Sequence, residues 1–216
     1  MSTASVLLIR YRPEVFADLL LLETLDVQRC ILLEELPSKL NNLKHLRLPQ
    51  HTLPKNLGEL HSLQTISPIL FISEEGDGRG IGELEHLSEL RGILRIHKME
   101  NIRSIEEFEK SKLKEKKYIN HVIMKWSEGE SPKIETDAVE ALQLPSMLEE
   151  LRIEGFPGVK LPLDSLDHLV NLELVNRITL KEVTTSKAVK TAISAKNCPK
   201  LTTTSNMVVD LQTLNM

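Results

Sequence analysis

A spacing of leucines constrains this chain more than any other feature. The segment Leu22-x-x-Leu25-x-Val27-x-x-Cys30-x-x-Leu33-x-x-Leu36-Pro37-x-x-Leu40-x-x-Leu43 fits, slot for slot, a repeat in which a short strand leads into an arc of loop or helix. Leu25 and Val27 alternate with Asp26 and Gln28, so the first pair points to one side of a strand and the second pair to the other. The later leucines bring the chain back around the same core. The pattern recurs at Leu25, Leu46, Leu94, Val122, Leu151, Leu172, Ile193 and Leu214, with one poorly defined turn near Ile69 to Ile72. The intervals are 21, 48 (two turns of 24), 28, 29, 21, 21 and 21 residues. Neither the 3.5-residue period of a coiled coil nor the 3.6 of a lone amphipathic helix persists.

The expected fold is therefore α/β: a leucine-rich-repeat solenoid, a curved stack of short parallel strands with loops and short helices on the convex side. A single turn cannot stand alone. Its four or five buried leucines, at ~1.5–3 kcal/mol each, fall short of the ~1–2 kcal/mol per residue that ordering about 21 residues costs. Stacking on both neighbours is obligatory. The chain reads as one domain over 1–216: an incomplete first turn in 1–21, well-defined repeats in 22–182 and degenerate repeats in 183–216, where Ala192 and Ala195 sit near slots usual for leucine. Neither end reads as a capping turn, so a truncated piece of a longer solenoid is expected.

Catalytic chemistry finds no support in the motifs. Gly76, Gly78, Gly80 and Gly82 give no GxGxxG, and Glu74, Glu75 and Asp77 beside them would repel phosphate, so a loop between turns is the better reading. No HExxH, GxSxG or acidic metal loop occurs, and His45, His61, His86 and His121 fall between repeat leucines as surface or hydrogen-bonded side chains. We expect no enzyme activity, no cofactor and no metal. Cys30 and Cys198 each lie three residues beyond the second strand residue, Val27 and Ala195, a slot that favours an inward Cys or Asn; both are expected as buried structural cysteines. The mixed charges of 103–117, with Ile102, Ile105, Phe108 and Leu113 near helical spacing, suggest a solvated helix on the outer arc. Trp126 reads as a buried plug at the end of its strand, with an exposed binding anchor as the alternative. The longest apolar runs, Val6 to Ile9 and Leu19 to Leu22, are too short for a signal core or a membrane span. With no CxxC pair and no Asn-x-Ser/Thr acceptor, a cytoplasmic location is expected.

Between Leu22 and Pro162 the text is more specific than a generic repeat. It contains "LPSKLNNLKHLRL", "LPKNLGELHSLQTISPILFI", "IGELEHLSELRGILRIHKMENI", "KLKEKKYINHVIMKWS" and "AVEALQLPSMLEELRIEGFPGVKLP", in that order. This resembles the leucine-rich region of plant intracellular nucleotide-binding disease-resistance proteins of the coiled-coil class. Gly92 in the "LRG" turn, Trp126 closing a strand and the arch from Ile153 to Pro162 carry the likeness. There are departures. Leu53-Pro54 arrives about three residues early, Leu163 stands where an aromatic is usual, and the likeness fades after Val183. The nucleotide-binding half is missing, since no Gly-x-x-x-x-Gly-Lys-Ser/Thr loop occurs. The resemblance implies a recognition region that senses pathogen effectors or guarded host proteins and restrains a nucleotide-binding switch. A general scaffold, such as a ubiquitin-ligase substrate adaptor, and a non-functional gene fragment are the other readings.

The concave face, lined by residues flanking each strand pair, is the expected partner-binding surface. It comprises Arg29, Arg47, Arg95, His97, Lys98, Lys125, Arg152, Glu154 and Lys196. Counting strand-flanking positions gives seven cations against Asp26, Glu154 and Glu173, on a chain whose formal net charge is −4. Arg47, Arg95 and Arg152 at equivalent positions would form a basic stripe. An acidic protein is the expected partner, either an effector, a guarded host protein or the receptor's own nucleotide-binding domain. Nucleic acid is disfavoured because the stripe lacks interleaved aromatics, and no membrane partner is expected.

Overall fold

The computed structural model describes residues 21–30, 33–36, 40–49, 53–67, 69–74, 80–127, 143–176, 179–186, 191–203 and 208–212. The glycines at 76 and 78 and the expected strand residue Leu214 lie outside them. Thirteen short strands are present among the described residues, and all their pairings are parallel.

β1 (Thr24–Asp26), β2 (His45–Arg47) and β3 (Thr65–Ser67) form a first sheet, with Leu25 opposite Leu46 and Leu46 opposite Ile66. The main sheet runs β4 (Leu70–Phe71), β5 (Arg91–His97), β6 (Tyr118–Lys125), β7 (Glu150–Glu154), β9 (Asn171–Val175), β11 (Ala192–Lys196), β13 (Val208–Gln212). Its register places Leu94, Val122, Leu151, Leu172 and Ile193 in one row, as the repeat spacing predicts. β7, β9 and β11 share one alternation, in which the second and fourth residues are buried and the others face outward. That is the period-two signature of a strand covered on one face. The buried side chains form one continuous core from Leu22 to Ala195.

Two steps of the row depart from the expected spacing. The indistinct turn enters at Ile66, and the segment then serves a second neighbour, because Leu70–Phe71 pairs with Ile96–His97. At the other end Val209 stands opposite Ile193, a step of 16 residues instead of the 21 that Leu214 required. Val209-Asp210-Leu211 supplies the alternation that a two-slot strand needs, so the shorter turn closes first. Ala192 also proves to face solvent, because it precedes the inward Ile193; Ala195 alone fills a core slot.

The side of the turns away from these sheets carries short helices in the middle of the chain, as expected. Helix α1 (Ile105–Lys110) is capped by Ser104, whose Oγ accepts from the Glu107 N–H at 3.2 Å, and it buries Phe108. In the C-terminal turns strands stand where loops and helices were expected. β8 (Lys160–Leu163), β10 (Glu182–Thr185) and β12 (Thr202–Thr203) form a second parallel ladder, with Val183 opposite Leu161. Leu161 and Leu163 alternate with exposed Lys160 and Pro162, which a strand satisfies and a helix does not. A single parallel bridge between Glu35 and Lys55 repeats this arrangement near the N-terminal sheet.

Several turns leave the main sheet in the same way. Lys98, Gly155, Asn176 and Asn197, each four residues past its row residue, all take left-handed φ, at 62°, 75°, 58° and 56°. Gly92 (φ 74°) marks the bulge where Asn120 is inserted between β5 and β6 partners. Trp126 takes the corresponding place after β6 and is buried, edge-on to Phe156 at 5.6 Å between ring centroids. This settles it as a plug.

Candidate functional site

Alternate residues of the main sheet turn away from the core, and the parallel register stacks them into columns. The middle column holds Arg95, Ile123, Arg152, Glu173 and Ser194; the next holds His97, Lys125, Glu154, Val175 and Lys196. Neighbours within a column lie on strands roughly 4.8 Å apart. Of the residues expected on this face, Arg95 and Arg152 therefore share one column, and His97, Lys125, Glu154 and Lys196 share another. Arg47 stands in the first sheet opposite Asp26. Arg29 lies in the turn beyond β1, and Lys98 lies beyond β5, so neither is a strand residue.

A stripe of bare cations does not form. Arg152 reaches Glu173 through Nη1 and Glu154 through Nη2, both at 2.5 Å. Lys125 Nζ lies 3.1 Å from Glu154, and Lys196 Nζ lies 3.2 Å from Glu173. The result is a chain of alternating charges, Lys125, Glu154, Arg152, Glu173 and Lys196, across β6, β7, β9 and β11. Burial alone would raise the two carboxyls. Hydrogen bonds from Arg152 and the two lysines outweigh it and hold both below the ordinary carboxylate range. Arg47 likewise approaches Asp26 at 3.3 Å.

Arg95 differs from both. It makes no ion pair or hydrogen bond among the described residues, although it is half-buried. Its strand neighbour across the sheet is Ile123, and Ile93, on its own strand, is exposed. Next to it in sequence order on the same face, the His97 ring meets Phe71 edge-on at 5.4 Å. Burial, and then Lys125, push the His97 imidazole below its ordinary value. At the start of the two strands, Arg91 lies over the Tyr118 ring at 5.3 Å. Further along, His121 faces Glu150 at 3.2 Å, beside a groove of about 680 Å³ between Ile123, Asn171 and Ala192.

The interior holds polar residues that the spacing of leucines did not reveal. Glu100 is 4% exposed; its Oε2 accepts from the Ser127 N–H at 3.0 Å and its Oε1 lies 3.6 Å from Lys98 Nζ. Asn101 donates to the Ile72 carbonyl at 3.0 Å, so this pair ties a turn to those before and after it. Lys116 is 2% exposed and donates to the carbonyls of Leu84 (2.6 Å) and Glu85 (3.3 Å) on the preceding turn, and burial draws its pKa down to about 8. Their sequence signal is weak: a charged residue in a charged stretch looks solvated until the turn beneath it is placed. Cys30 is buried, and Cys198 is only partly buried against the core, its Sγ donating to the Lys196 carbonyl at 3.3 Å; neither is in a disulfide. Among the described residues no cluster of three or more His, Cys, Asp or Glu has metal-binding geometry, and no helix is long and apolar enough to cross a membrane.

Comparison with known proteins gives these columns a context. Residues 81–214 match the model of a family described as R13L1/DRL21 LRRs. The chain is 31% identical over 109 residues to RGA1, a candidate disease resistance protein of Solanum bulbocastanum, covering 50% of this chain and 11% of that protein. It is 38% identical over 66 residues to At3g14460, a candidate disease resistance protein of Arabidopsis thaliana, covering 31% of this chain and 4% of that protein. The chain thus spans about a tenth or less of each of these relatives. No solved structure matches it.

Proposed function

The chain belongs to the R13L1/DRL21 family of leucine-rich repeats, and from that premise we propose that it is the protein-binding recognition region of a plant disease-resistance receptor of the coiled-coil class. In this reading it acts in the cytoplasm, without catalysis of its own, by docking a pathogen effector, a guarded host protein or the receptor's own nucleotide-binding domain on the outward side of the main sheet. The observation that supports it is the column order itself. Six strands of the main sheet, β4, β5, β6, β7, β9 and β11, in one parallel register present rows of charged, aromatic and β-branched side chains, the kind of array on which a partner's side chains can be read position by position. The paired charges change the expected mode of recognition. A partner must match an alternating pattern and not merely be acidic, so electrostatics contributes more to selectivity and encounter rate than to affinity.

The test is association in trans with the nucleotide-binding segment of a coiled-coil-class resistance protein, followed at two ionic strengths. Neutralising Arg95, Lys125 and Lys196 to Gln together should slow association several-fold at low salt and have less effect at high salt. Neutralising Lys112 and Lys160, which lie off the main sheet, should leave the rate unchanged. If the strand-face triple variant associates as fast as the parent at low salt, this face is not the recognition surface.

A further inference from the structure

Charge is distributed unevenly over the main sheet. β4, β5 and β6 contain no Asp or Glu, whereas the acids of this sheet's strands stand on β7, β9 and β13. The other Arg and Lys side chains of the acid-free half already have partners: Arg91 has Glu89 at 3.5 Å and the Tyr118 ring, and Lys125 has Glu154. Arg95 is the exception. Its frame is apolar, with Ile123 opposite on β6 and exposed Ile93 two residues before it on the same face. Leu70 pairs with Ile96, so continuing that register back one residue brings half-buried Ile69 opposite Arg95 on the other side.

The half-buried Arg95 gains no anion from the described residues, so its guanidinium keeps its hydrogen-bonding capacity for a partner. Its planar fork of donors matches a carboxylate in bidentate fashion. The surrounding isoleucines exclude water from that bond and offer contact to an apolar neighbour of the carboxylate. Arginine set in an apolar ring is the composition typical of interface hot spots.

We propose that Arg95, with Ile69, Ile93 and Ile123, forms a docking spot for an internal acidic side chain of a partner protein, an Asp or Glu flanked by an apolar residue. The proposal rests on the reading of this face as a protein-binding surface and places its energetic centre on β4–β6. Arg47 and Arg152, the other members of the expected stripe, already hold Asp26, Glu154 and Glu173 and are not free to serve.

The probe is a phage-displayed library of random dodecapeptides, selected on the full 216-residue chain and then measured as synthetic peptides. Retained sequences should be enriched in Asp or Glu next to Leu, Ile, Val or Phe. They should lose about tenfold or more in affinity for Arg95→Gln, as expected for removal of a charge-assisted bond, and be unaffected by Arg47→Gln. Far-ultraviolet dichroism confirms that Arg95→Gln is folded, and Ile123→Ser supplies a second variant that should also weaken binding. Peptides that compete with one another on the sheet but ignore Arg95→Gln, or that lack acids, overturn this inference and leave the protein-binding reading standing. Failure to retain any peptide that depends on a residue of the main sheet overturns both.

Discussion

Asn197 donates its side-chain amide to Asn176 Oδ1 at 2.9 Å across one full turn, and both residues hold left-handed backbone at φ 56° and 58°. Each closes a strand four residues past its row residue, where Asn is tolerated because its short polar side chain bonds locally. Replacing Asn197 by Val should cost ~1–2 kcal/mol at this position, the penalty for a β-branched residue in left-handed backbone. Hydrogen exchange of the amides of 192–196 should accelerate about 5- to 30-fold, whereas Asn197→Gly should change it far less. Equal effects of the two substitutions would show that backbone handedness is not what holds this corner.

Trp126 is the only tryptophan, so its fluorescence reports one locality without ambiguity. It packs on Phe156, which is fully buried. Truncation to Phe156→Ala should destabilise these turns by ~3–5 kcal/mol and move the red shift of Trp126 emission to a markedly lower denaturant concentration. A shift of the midpoint no larger than that of an exposed control, such as Met147→Ala, would contradict the plug role.

How far the sequence foretold this arrangement depends on which distances a feature involves. The row from Leu94 to Ile193 was legible because a core slot is set by spacing along the chain. The step to Val209 was not, since a turn of 16 residues is shorter than any in the series. The second ladder of β8, β10 and β12 was hidden because two inward residues, Leu161 and Leu163, are too few to distinguish a strand from an extended loop. On the outward face, Arg152 and Lys125 look like free charge in the sequence, whereas both are ion-paired in the structure. Their partners lie one turn away or two residues along, so pairing becomes visible only when the register is known. Arg95 was distinguished from Arg47 and Arg152 by nothing in its local sequence.

Lys116 gives a pH dependence of definite sign. Its ammonium titrates near 8 in the folded chain and at 10.5 in the unfolded one. Between those values the unfolded state holds more protons, so stability rises with pH across that window, and the cost of the buried charge is fully present below about 8. In Lys116→Met this contribution disappears. The denaturation midpoint of the parent should therefore gain on that of the variant between pH 7 and pH 10. A constant difference between them would show that the amine titrates as it does in water.

The Arg152 cluster gives a dependence of the same sign, stability rising with pH, but in the acid range. Glu154 and Glu173 are held below the ordinary carboxylate range, so their stabilisation is present above that range and is lost as pH falls through their folded values. Arg152→Gln should lower stability at pH 7 by on the order of 1 kcal/mol, since a third of the side chain remains in solvent. It should also narrow the gap between the denaturation midpoints at pH 7 and pH 3. An unchanged gap would mean that Lys125 and Lys196 suffice to hold the carboxylates.

The junction between the two sheets should be the weakest plane in the middle of the stack. β3 pairs with β2 and β4 pairs with β5, so the segment from Thr65 to Phe71 splits its hydrogen bonds between neighbours instead of continuing one ladder. A backbone bond crosses from the β3 side to β5, from the Arg91 N–H to the Gln64 carbonyl at 2.9 Å, and Pro68, between the two strands in sequence, has no N–H to contribute. By contrast, β5 and β6 share seven registered pairs and β6 and β7 share five. In a stack whose stability is a sum over neighbouring turns, the interface with fewest bonds opens first. Native-state hydrogen exchange should therefore show the amides of β1–β3 exchanging as a unit ahead of those of β5–β9, with Asn101 and its bond to the Ile72 carbonyl on the protected side. Asn101→Ala should move β4 into the early-exchanging unit. Uniform protection from β1 through β9 would show that side-chain packing between Ile66 and the core of the next turn makes the junction as strong as an unbroken ladder.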